Sequence, residues 1–320
     1  MMDRPPFLLV VGCGRSGTTV LRTVLDSHPE LAVAHEGRFV VPLGLRRARY
    51  ERPGGFDGER FVHDMAGDAA VRTNLGLDDD ELRTLIGERP VVDFPDAARR
   101  VFARYASKRG KPRYGDKMPG YVLRIPLLAA MFPEARLVHI IRDGRDVALS
   151  SMAIDGNAKD PVELAINWTT RVGAGRAAGR DLGRGRYREV RYEALVAEPE
   201  PVASELCEFL DLDFEPAMLR FFERADGVPA KVQANPRHAR LAEPLSPGRR
   251  SWRTEMSTAD LERFEAVAGA RLDELGYERG VARPSLPARL DAARGRLMWH
   301  AGRARTRLPG MVRRAGGASR

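Results

Sequence analysis

The sequence predicts an α/β protein of three layers, in which a central parallel sheet lies between helices. Two strand–loop–helix units predict it: the apolar run Phe7–Val11, a glycine-rich turn and helical spacing over Val20–Leu25, then Arg136–Ile141 and a helix from Val147 to Met152. Continuous apolar runs that end in a turn are typical of strands buried on both faces. Strands that alternate with helices therefore indicate a parallel sheet covered on both sides.

Further segments extend this pattern. Leu31–Ala34 and Arg186–Tyr192 read as strands, and Arg113–Pro119 reads as a strand end and turn. Helical periodicity marks Asp96–Arg109, Tyr121–Phe132, Pro161–Leu182, Pro201–Leu210 and Leu261–Leu275. Two stretches, Arg46–Gly58 and Asp226–Arg253, have no clear period. Because long loops in compact domains are usually functional, we expect these two to gate or bind a substrate.

Composition excludes several classes of protein. The chain has 320 residues, of which 43% are hydrophobic and 30% are charged, as in ordinary globular proteins. No apolar run approaches the roughly 18 residues that a membrane span needs. The only cysteines, Cys13 and Cys207, are far apart, so no disulfide framework or zinc site is indicated. With no signal-peptide pattern at the start, we expect a cytoplasmic protein.

The net charge of +9 is confined to one end of the chain. Residues 281–320 contain ten arginines and a single acidic residue, Asp291, so the rest of the chain is neutral. The basic pI therefore indicates no nucleic-acid partner for the folded part. We predict one domain over residues 1–280, followed by a basic tail over 281–320. That tail is expected to be flexible or to form an amphipathic helix that contacts anionic membranes, because apolar residues recur from Leu286 to Leu308 at steps of three and four.

The loop after the first strand predicts a phosphate site. Gly12–Thr19 has the length of a P-loop, and it follows a buried strand and opens a helix as that motif requires. Thr18 stands where the P-loop lysine belongs, and the only cation is Arg15, inside the loop. Free N–H groups at the helix start still favour an anion. The candidate phosphate ligands are Arg15, Ser16, Gly17, Thr18 and Thr19, and Arg15 is also a candidate catalytic residue.

The second strand–loop–helix segment has arginines in the loop directly after its strand. Arg142 and Arg145 follow the strand Arg136–Ile141, and ligands of open α/β sheets bind beyond the carboxyl ends of strands. Ser150, about two helical turns after Arg142, is a further candidate donor. The alternative is that the two arginines form surface ion pairs with Asp143 and Asp146.

Both loops together resemble the two signatures of sulfotransferases that use 3′-phosphoadenosine 5′-phosphosulfate (PAPS). The stretch from Arg15 to Pro29 with Glu36 and Arg38, the turn Gly115–Pro119 and the strand end Arg191–Leu195 are similar to the tyrosylprotein sulfotransferases and their bacterial relatives. The resemblance implies a P-loop NTPase-like fold and PAPS as co-substrate, with no metal required. It also implies that the first loop holds the 5′-phosphosulfate and that Arg142 and Ser150 hold the 3′-phosphate.

Three residues outside the loops complete the candidate site. Glu36 follows the strand Leu31–Ala34, so its carboxylate should lie at the sheet edge beside Arg15, where it suits a general base. The resemblance assigns it the same role. His28 and His35 are the alternative candidates for the base, because the ordinary pKa of histidine already lies close to neutral pH. Lys117 is expected near the leaving oxygen. By resemblance Tyr192 binds the cofactor, and Arg249, Arg250 and Trp252 are candidates for further cofactor contacts.

The predicted reaction moves a sulfuryl group to a hydroxyl of a carbohydrate, small metabolite or peptide. One alternative is a P-loop kinase, which Thr18 at the lysine position and the lack of an acidic strand for Mg²⁺ disfavour. Another is a nucleotide-binding module without catalysis, which would have no use for Glu36 together with Lys117. The sequence itself does not identify the acceptor.

Overall fold

A five-stranded parallel sheet forms the centre of the computed structural model, which describes residues 5–153, 160–223, 241–246 and 251–306. The strand order is β2-β5-β1-β6-β7, and every neighbouring pair is parallel. A two-stranded antiparallel ribbon, β3-β4, lies outside this sheet. The strands are β1 Leu8–Gly12, β2 Leu31–His35, β3 Glu51–Arg52, β4 Gly55–Phe56, β5 Arg113–Lys117, β6 Arg136–Ile141 and β7 Tyr187–Arg191.

Helices occupy most of the remaining described chain. The α-helices are α1 Thr18–Asp26, α2 Val40–Gly44, α3 Gly58–Ala66, α4 Ala69–Leu75, α5 Asp79–Gly87, α6 Phe94–Ser107, α7 Ile125–Met131, α8 Gly144–Met152, α9 Pro161–Leu182, α10 Tyr192–Ala197, α11 Pro199–Phe209, α12 Trp252–Glu255, α13 Thr258–Glu274 and α14 Leu286–Thr306. Short 3-10 helices cover Arg47–Arg49, Pro119–Arg124 and Pro216–Glu223. None of the described helices is long and apolar enough to cross a bilayer.

Two compact units divide the chain. The first comprises residues 1–142 and 171–248, and the second comprises residues 143–170 and 249–320. This division differs from the boundary near residue 280 that charge predicts, and that boundary stays a prediction. Within the second unit, α14 packs on α13 and buries Ala288 and Ala292.

Alternation along β1 shows why the first unit has three layers. Leu8 and Val10 point to one face of the sheet, and Leu9 and Val11 point to the other, yet all four are fully buried. The face with Leu9 packs against helices α2 to α7, and the face with Leu8 packs against α1, α10 and α11. The predicted fold class, a parallel sheet between two helical layers, is therefore confirmed.

Helix starts follow capping signals in the sequence. Asp78 and Glu81 form a capping box at α5, while Asp93 and Ser257 accept backbone N–H groups at the starts of α6 and α13. Helix α1 begins without such a cap, because its N-cap is Gly17 and no side chain bonds its first N–H groups. Helices α2, α7, α10 and α11 also begin without a side-chain cap.

Most predicted elements are confirmed within two residues or so of their ends, and α9 has the predicted bounds. Arg113–Lys117 is a complete strand rather than a strand end. The unassigned stretch Arg46–Gly58 contains a 3-10 turn and the β3-β4 ribbon, whose two-residue strands are too short to show a period. Of Asp226–Arg253, only residues 241–246 and 251–253 lie within the described parts.

Candidate active site

The predicted site residues of the first unit meet at one edge of the sheet. Each follows or ends a strand, and the carboxyl ends of parallel strands lie at the same edge. In sheet order they are Glu36 after β2, Lys117 at the end of β5, the loop Cys13–Gly17 after β1, Arg142 after β6 and Tyr192 after β7. The carboxylate and ammonium therefore stand on one side of the loop, and the guanidinium and phenol stand on the other.

Backbone conformation shapes the phosphate loop. Arg15 and Gly17 both have left-handed backbones, with φ of 73° and 89°. A Cβ atom at Gly17 would lie 2.4 Å from Cδ2 of Tyr192, so the ring packs directly against this glycine. Gly12 is equally constrained, because a Cβ there would lie 2.7 Å from the carbonyl oxygen of Ile140. The loop thus needs glycine at both ends, which agrees with its P-loop spacing.

The buried hydroxyl of Ser16 indicates whether a phosphate would fit this loop. Its side chain is 1% exposed, and its Oγ atom has no hydrogen-bond partner among the residues that the structure describes. Buried hydroxyls rarely lack a partner, so such a group calls for an acceptor. A phosphate oxygen at the uncapped start of α1 would supply one, beside Thr18, which is itself buried.

Glu36 and Lys117 form the charged pair of the site. Lys117 Nζ donates to Glu36 Oε1 at 2.8 Å. The lysine is 1% exposed, whereas the Glu36 side chain is 31% exposed and can be reached from outside. Burial lowers the pKa of Lys117, and the Glu36 carboxylate partly offsets this. The pair therefore presents an accessible carboxylate with a buried cation directly behind it.

Two residues that sequence reasoning did not assign hold Glu36 in place. Glu36 has a φ of 59°, which is unusual for a residue with a side chain. Asn74 Nδ2 donates to its carbonyl oxygen at 2.9 Å, and Asp116 Oδ1 accepts the N–H of Gly37 at 2.9 Å. Burial raises the pKa of Asp116 to about 6, although the Gly37 N–H and Lys117 oppose the shift. Asp116 could have been found from its place beside Lys117, whereas Asn74 gives no sequence signal.

Arg142 stacks on Tyr192. The guanidinium carbon lies 4.5 Å from the centre of the Tyr192 ring, within the range of a cation–π contact. The same ring covers Gly17, so it connects the arginine after β6 to the phosphate loop after β1. This contact gives the predicted cofactor residues Arg142 and Tyr192 one common location.

Arg145 is not available to a phosphate. It is 1% exposed, donates to both carboxylate oxygens of Asp143, and bonds Glu265 at 2.6 Å. Trp252 lies on its guanidinium at 3.6 Å. Arg145 thus forms an ion pair with Asp143, as the alternative predicts, but the pair is buried and does not lie on the surface. Trp252 packs against this arginine within the second unit. Arg249 and Arg250 fall outside the described residues, and the role of Ser150 on α8 stays a prediction.

The competing base His28 has a structural role. Its Nδ1 atom accepts the N–H of Glu30 at 3.1 Å, and its Nε2 atom lies 2.9 Å from the carbonyl oxygen of Asp213. The ring therefore closes the turn after α1. His35, the other competitor, is the last residue of β2 and is 9% exposed. Glu36 is more accessible than either histidine.

This fold and loop define an α/β protein of the P-loop class. The chain belongs to the sulfotransferase family, whose sequence model matches residues 6–216. The resemblance that the two signatures carry is thus confirmed at the level of the family.

Individual relatives share about a quarter of their residues with this chain over the matched region. The protein-tyrosine sulfotransferase of Drosophila melanogaster is 23% identical over 282 residues, 85% of this chain and 52% of that protein. Protein-tyrosine sulfotransferase A of Caenorhabditis elegans is 25% identical over 219 residues, 67% of this chain and 52% of that protein. The chain spans about half the length of these curated relatives.

Solved structures show the same fold. The sulfotransferase domain of the Synechococcus PCC 7002 olefin synthase has a TM-score of 0.58 at 22% identity, over 86% of this chain and 97% of that domain. The sulfotransferase domain of the curacin biosynthetic pathway has a TM-score of 0.52 at 19% identity, and the match covers 86% of this chain and 99% of that domain.

Proposed function

We propose that this chain is a PAPS-dependent sulfotransferase that transfers the sulfuryl group to a hydroxyl. The observation that carries the proposal is the Glu36–Lys117 pair. It lies at the ends of β2 and β5, and β5 adjoins the strand that enters the phosphate loop, with Lys117 in register with Val10. A nucleotide-binding module has no use for an accessible carboxylate held against a buried lysine at that place.

The donor is proposed to bind across the loop ends. The buried Ser16 hydroxyl and the uncapped start of α1 support a phosphate there. In this proposal the 5′-phosphosulfate is held by Arg15, Ser16, Gly17, Thr18 and Thr19, the 3′-phosphate is held by Arg142 and Ser150, and Tyr192 contacts the cofactor. The bound donor supplies an activated sulfuryl group, and no metal is needed in this scheme.

Glu36 acts as the base in the proposed step. Its carboxylate takes the proton of the acceptor hydroxyl while that oxygen attacks sulfur in line with the departing phosphate. A new S–O bond forms, the bond from sulfur to the phosphate oxygen breaks, and the phosphate leaves with the electron pair. Lys117, buried behind Glu36, offsets negative charge that develops on the transferring group.

The acceptor is proposed to be a hydroxyl of a carbohydrate, small metabolite or peptide. Glu36 is partly exposed, so an acceptor can approach it from outside the sheet edge. Two of the relatives are named as protein-tyrosine sulfotransferases, which supports a hydroxyl acceptor of some kind. The second candidate, a P-loop kinase, lacks support because Thr18 replaces the lysine that grips a triphosphate.

A ligand comparison tests the proposal. Thermal unfolding is measured with adenosine 3′,5′-bisphosphate and, separately, with ATP plus Mg²⁺. At about 100 times its dissociation constant the bisphosphate should add roughly 2.7 kcal/mol to the free energy of unfolding. Stabilisation by ATP with Mg²⁺ alone would favour the kinase. If the bisphosphate stabilised the chain but no sulfuryl group were transferred from labelled PAPS to any member of a broad hydroxyl library, the chain would be a nucleotide-binding module without catalysis.

The proposal also covers where the chain acts. We propose a cytoplasmic enzyme that meets anionic membranes peripherally through the residues after 280, where ten arginines outnumber one acid.

A further inference from the structure

Helix α14 is attached to the second unit through its smallest side chains. Ala288 and Ala292 are 4% and 2% exposed. A Cβ atom at Gly295 would lie 2.3 Å from Val162, so the backbone of α14 comes very close to its neighbour at this point. Arg296 donates to the carbonyl oxygens of Ala266 and Val267 on α13. One face of α14 is therefore already in use.

The larger apolar side chains lie on the other face. Leu286, Leu290 and Leu297 are 66%, 57% and 73% exposed, far more than leucines usually are. At about 100° per residue, these three positions lie within roughly 40° of one another. The buried alanines lie about half a turn away from them. We call Leu286, Leu290, Ala293, Leu297 and Ala301 the leucine stripe, and all five are exposed.

Arginines flank the stripe on both sides. Helical geometry places Arg289 along one edge and Arg294 along the other, and both are exposed. The one acidic residue of the helix, Asp291, pairs with Arg263 at 3.2 Å. The surface thus combines an apolar centre with cationic edges.

We propose that the leucine stripe and its flanking arginines form a docking surface for an anionic lipid bilayer. The charge pattern selects this occupant, because a bilayer surface offers acyl chains below a layer of phosphates on both sides of an inserted helix. A second copy of this chain would set arginines against arginines. The surface is separate from the transfer site, and it assigns the peripheral contact to particular residues of α14.

Vesicle sedimentation with the full chain tests this surface. At low salt the chain should sediment with phosphatidylglycerol vesicles and stay in solution with phosphatidylcholine vesicles. The double variant Leu290→Gln/Leu297→Gln keeps every arginine and good helix propensity, and it should bind at least tenfold more weakly. Arg289→Gln/Arg294→Gln should also lose at least tenfold, since each arginine near such a surface contributes a factor of about five.

Matched controls separate this surface from general effects. Leu45 is 57% exposed, like Leu290, but lies in the first unit, so Leu45→Gln should bind vesicles as the parent does. All variants should keep the parent's stabilisation by adenosine 3′,5′-bisphosphate. Failure of that stabilisation with vesicle binding intact would count against the proposed function alone.

Three outcomes would overturn the docking proposal. The parent could bind neither kind of vesicle. The leucine variant could bind as tightly as the parent, with polyglutamate displacing both equally, which would mean that charge alone attracts the chain. Finally, the leucine variant could abolish a dimer seen by analytical ultracentrifugation while no vesicle binding exists, which would make the stripe a contact between copies.

Discussion

Glu36 is a surface carboxylate held by contacts from the interior. Lys117, Asn74 and the Gly37 N–H group, itself bonded to Asp116, define its position and its left-handed backbone. If Glu36 is the base, as proposed, these contacts already hold its carboxylate in position to accept a proton. The lysine donates a hydrogen bond to the carboxylate at 2.8 Å, which fixes the direction in which the carboxylate points.

The first prediction concerns this base. Glu36→Gln keeps the shape and an oxygen that can accept from Lys117, but it cannot take a proton. Turnover with PAPS should fall by about 10² to 10⁴, while the affinity for adenosine 3′,5′-bisphosphate stays near the parent value. Glu134→Gln is the control, since Glu134 is ion-paired with Arg99 at 2.6 Å away from the site. Parent-like turnover of Glu36→Gln across the pH range would disprove the assignment.

The second prediction concerns Asp116 and pH. Burial raises its pKa from 3.8 to about 6, so the folded chain keeps this proton after the unfolded chain has released it. The stability that Asp116 contributes is therefore present below pH 4 and is lost as the pH rises through 6. Asp116→Asn retains the acceptor for Gly37 and should remove this loss, which is on the order of 2 to 3 kcal/mol.

The measurement is the midpoint of thermal unfolding from pH 4 to pH 8. Relative to the parent, Asp116→Asn should gain stability as the pH rises. Asp80→Asn makes the same chemical change on an exposed carboxylate and controls for the substitution itself. An Asp116→Asn curve parallel to that of the parent at all pH values would contradict the prediction.

At the scale of elements, the turn between β6 and α8 has two arginines with different roles. Arg142 stacks on Tyr192 beside the phosphate loop, whereas Arg145 is buried among carboxylates. Sequence spacing alone treats them as equivalent. Their surroundings decide which one can meet a ligand.

The third prediction follows from this difference. Arg142→Ala should lower the affinity for adenosine 3′,5′-bisphosphate by about 10- to 150-fold and leave the affinity for adenosine 5′-monophosphate unchanged, because the proposed charge-assisted bond to the 3′-phosphate is removed. Arg145→Met should instead lower the free energy of unfolding by about 3 to 5 kcal/mol, because it removes the buried cation that pairs with both Asp143 and Glu265. Calorimetric titration and urea unfolding distinguish the two. If Arg142→Ala lost the same factor of affinity for both ligands, Arg142 would not be the residue that holds the 3′-phosphate.

The fourth prediction uses two glycines of the same loop. Gly17→Ala places a side chain on a backbone with φ of 89° and against the Tyr192 ring, so ligand affinity should fall at least tenfold and stability should drop. Gly14→Ala is the matched control, because a Cβ there meets nothing within 4 Å. If both variants bound the bisphosphate like the parent, close packing of this loop would be irrelevant to binding.

At the scale of the whole molecule, β1 is the central strand of the sheet. It lies between β5 and β6, and its residues are buried on both faces. Strands of this kind open only when a large part of the fold opens. The edge strands β2 and β7 have one sheet neighbour each.

The fifth prediction is an order of hydrogen exchange. Backbone amides of β1 should exchange most slowly, those of β7 faster, and those of the β3-β4 ribbon fastest, since that ribbon has only two residues in each strand. Exchange measured by mass spectrometry on the full chain tests this order. Amides of β1 that exchange as fast as those of the ribbon would mean that the sheet is not the most stable part.

The sequence by itself determined the five strands of the central sheet, the longer helices α6, α9, α11 and α13, and the edge at which the site lies. The helices α2 to α5 and the β3-β4 ribbon were not predicted. Apolar runs, capping residues and glycines act over a few neighbouring positions, so they can be read locally. Because carboxyl ends of parallel strands share an edge, Glu36, Arg142 and the phosphate loop could be placed together without a structure. The amphipathic pattern of α14 was readable in the same way.

Only the tertiary structure decided which residues meet. The order β2-β5-β1-β6-β7 makes Lys117 a neighbour of Glu36, 81 positions away, and brings Asn74 to the same turn. It also decided that α14 docks through alanine and glycine, since small side chains allow close approach of helices, and so leaves the leucines exposed. These outcomes depend on packing between distant segments, and no local pattern of the sequence encodes that packing.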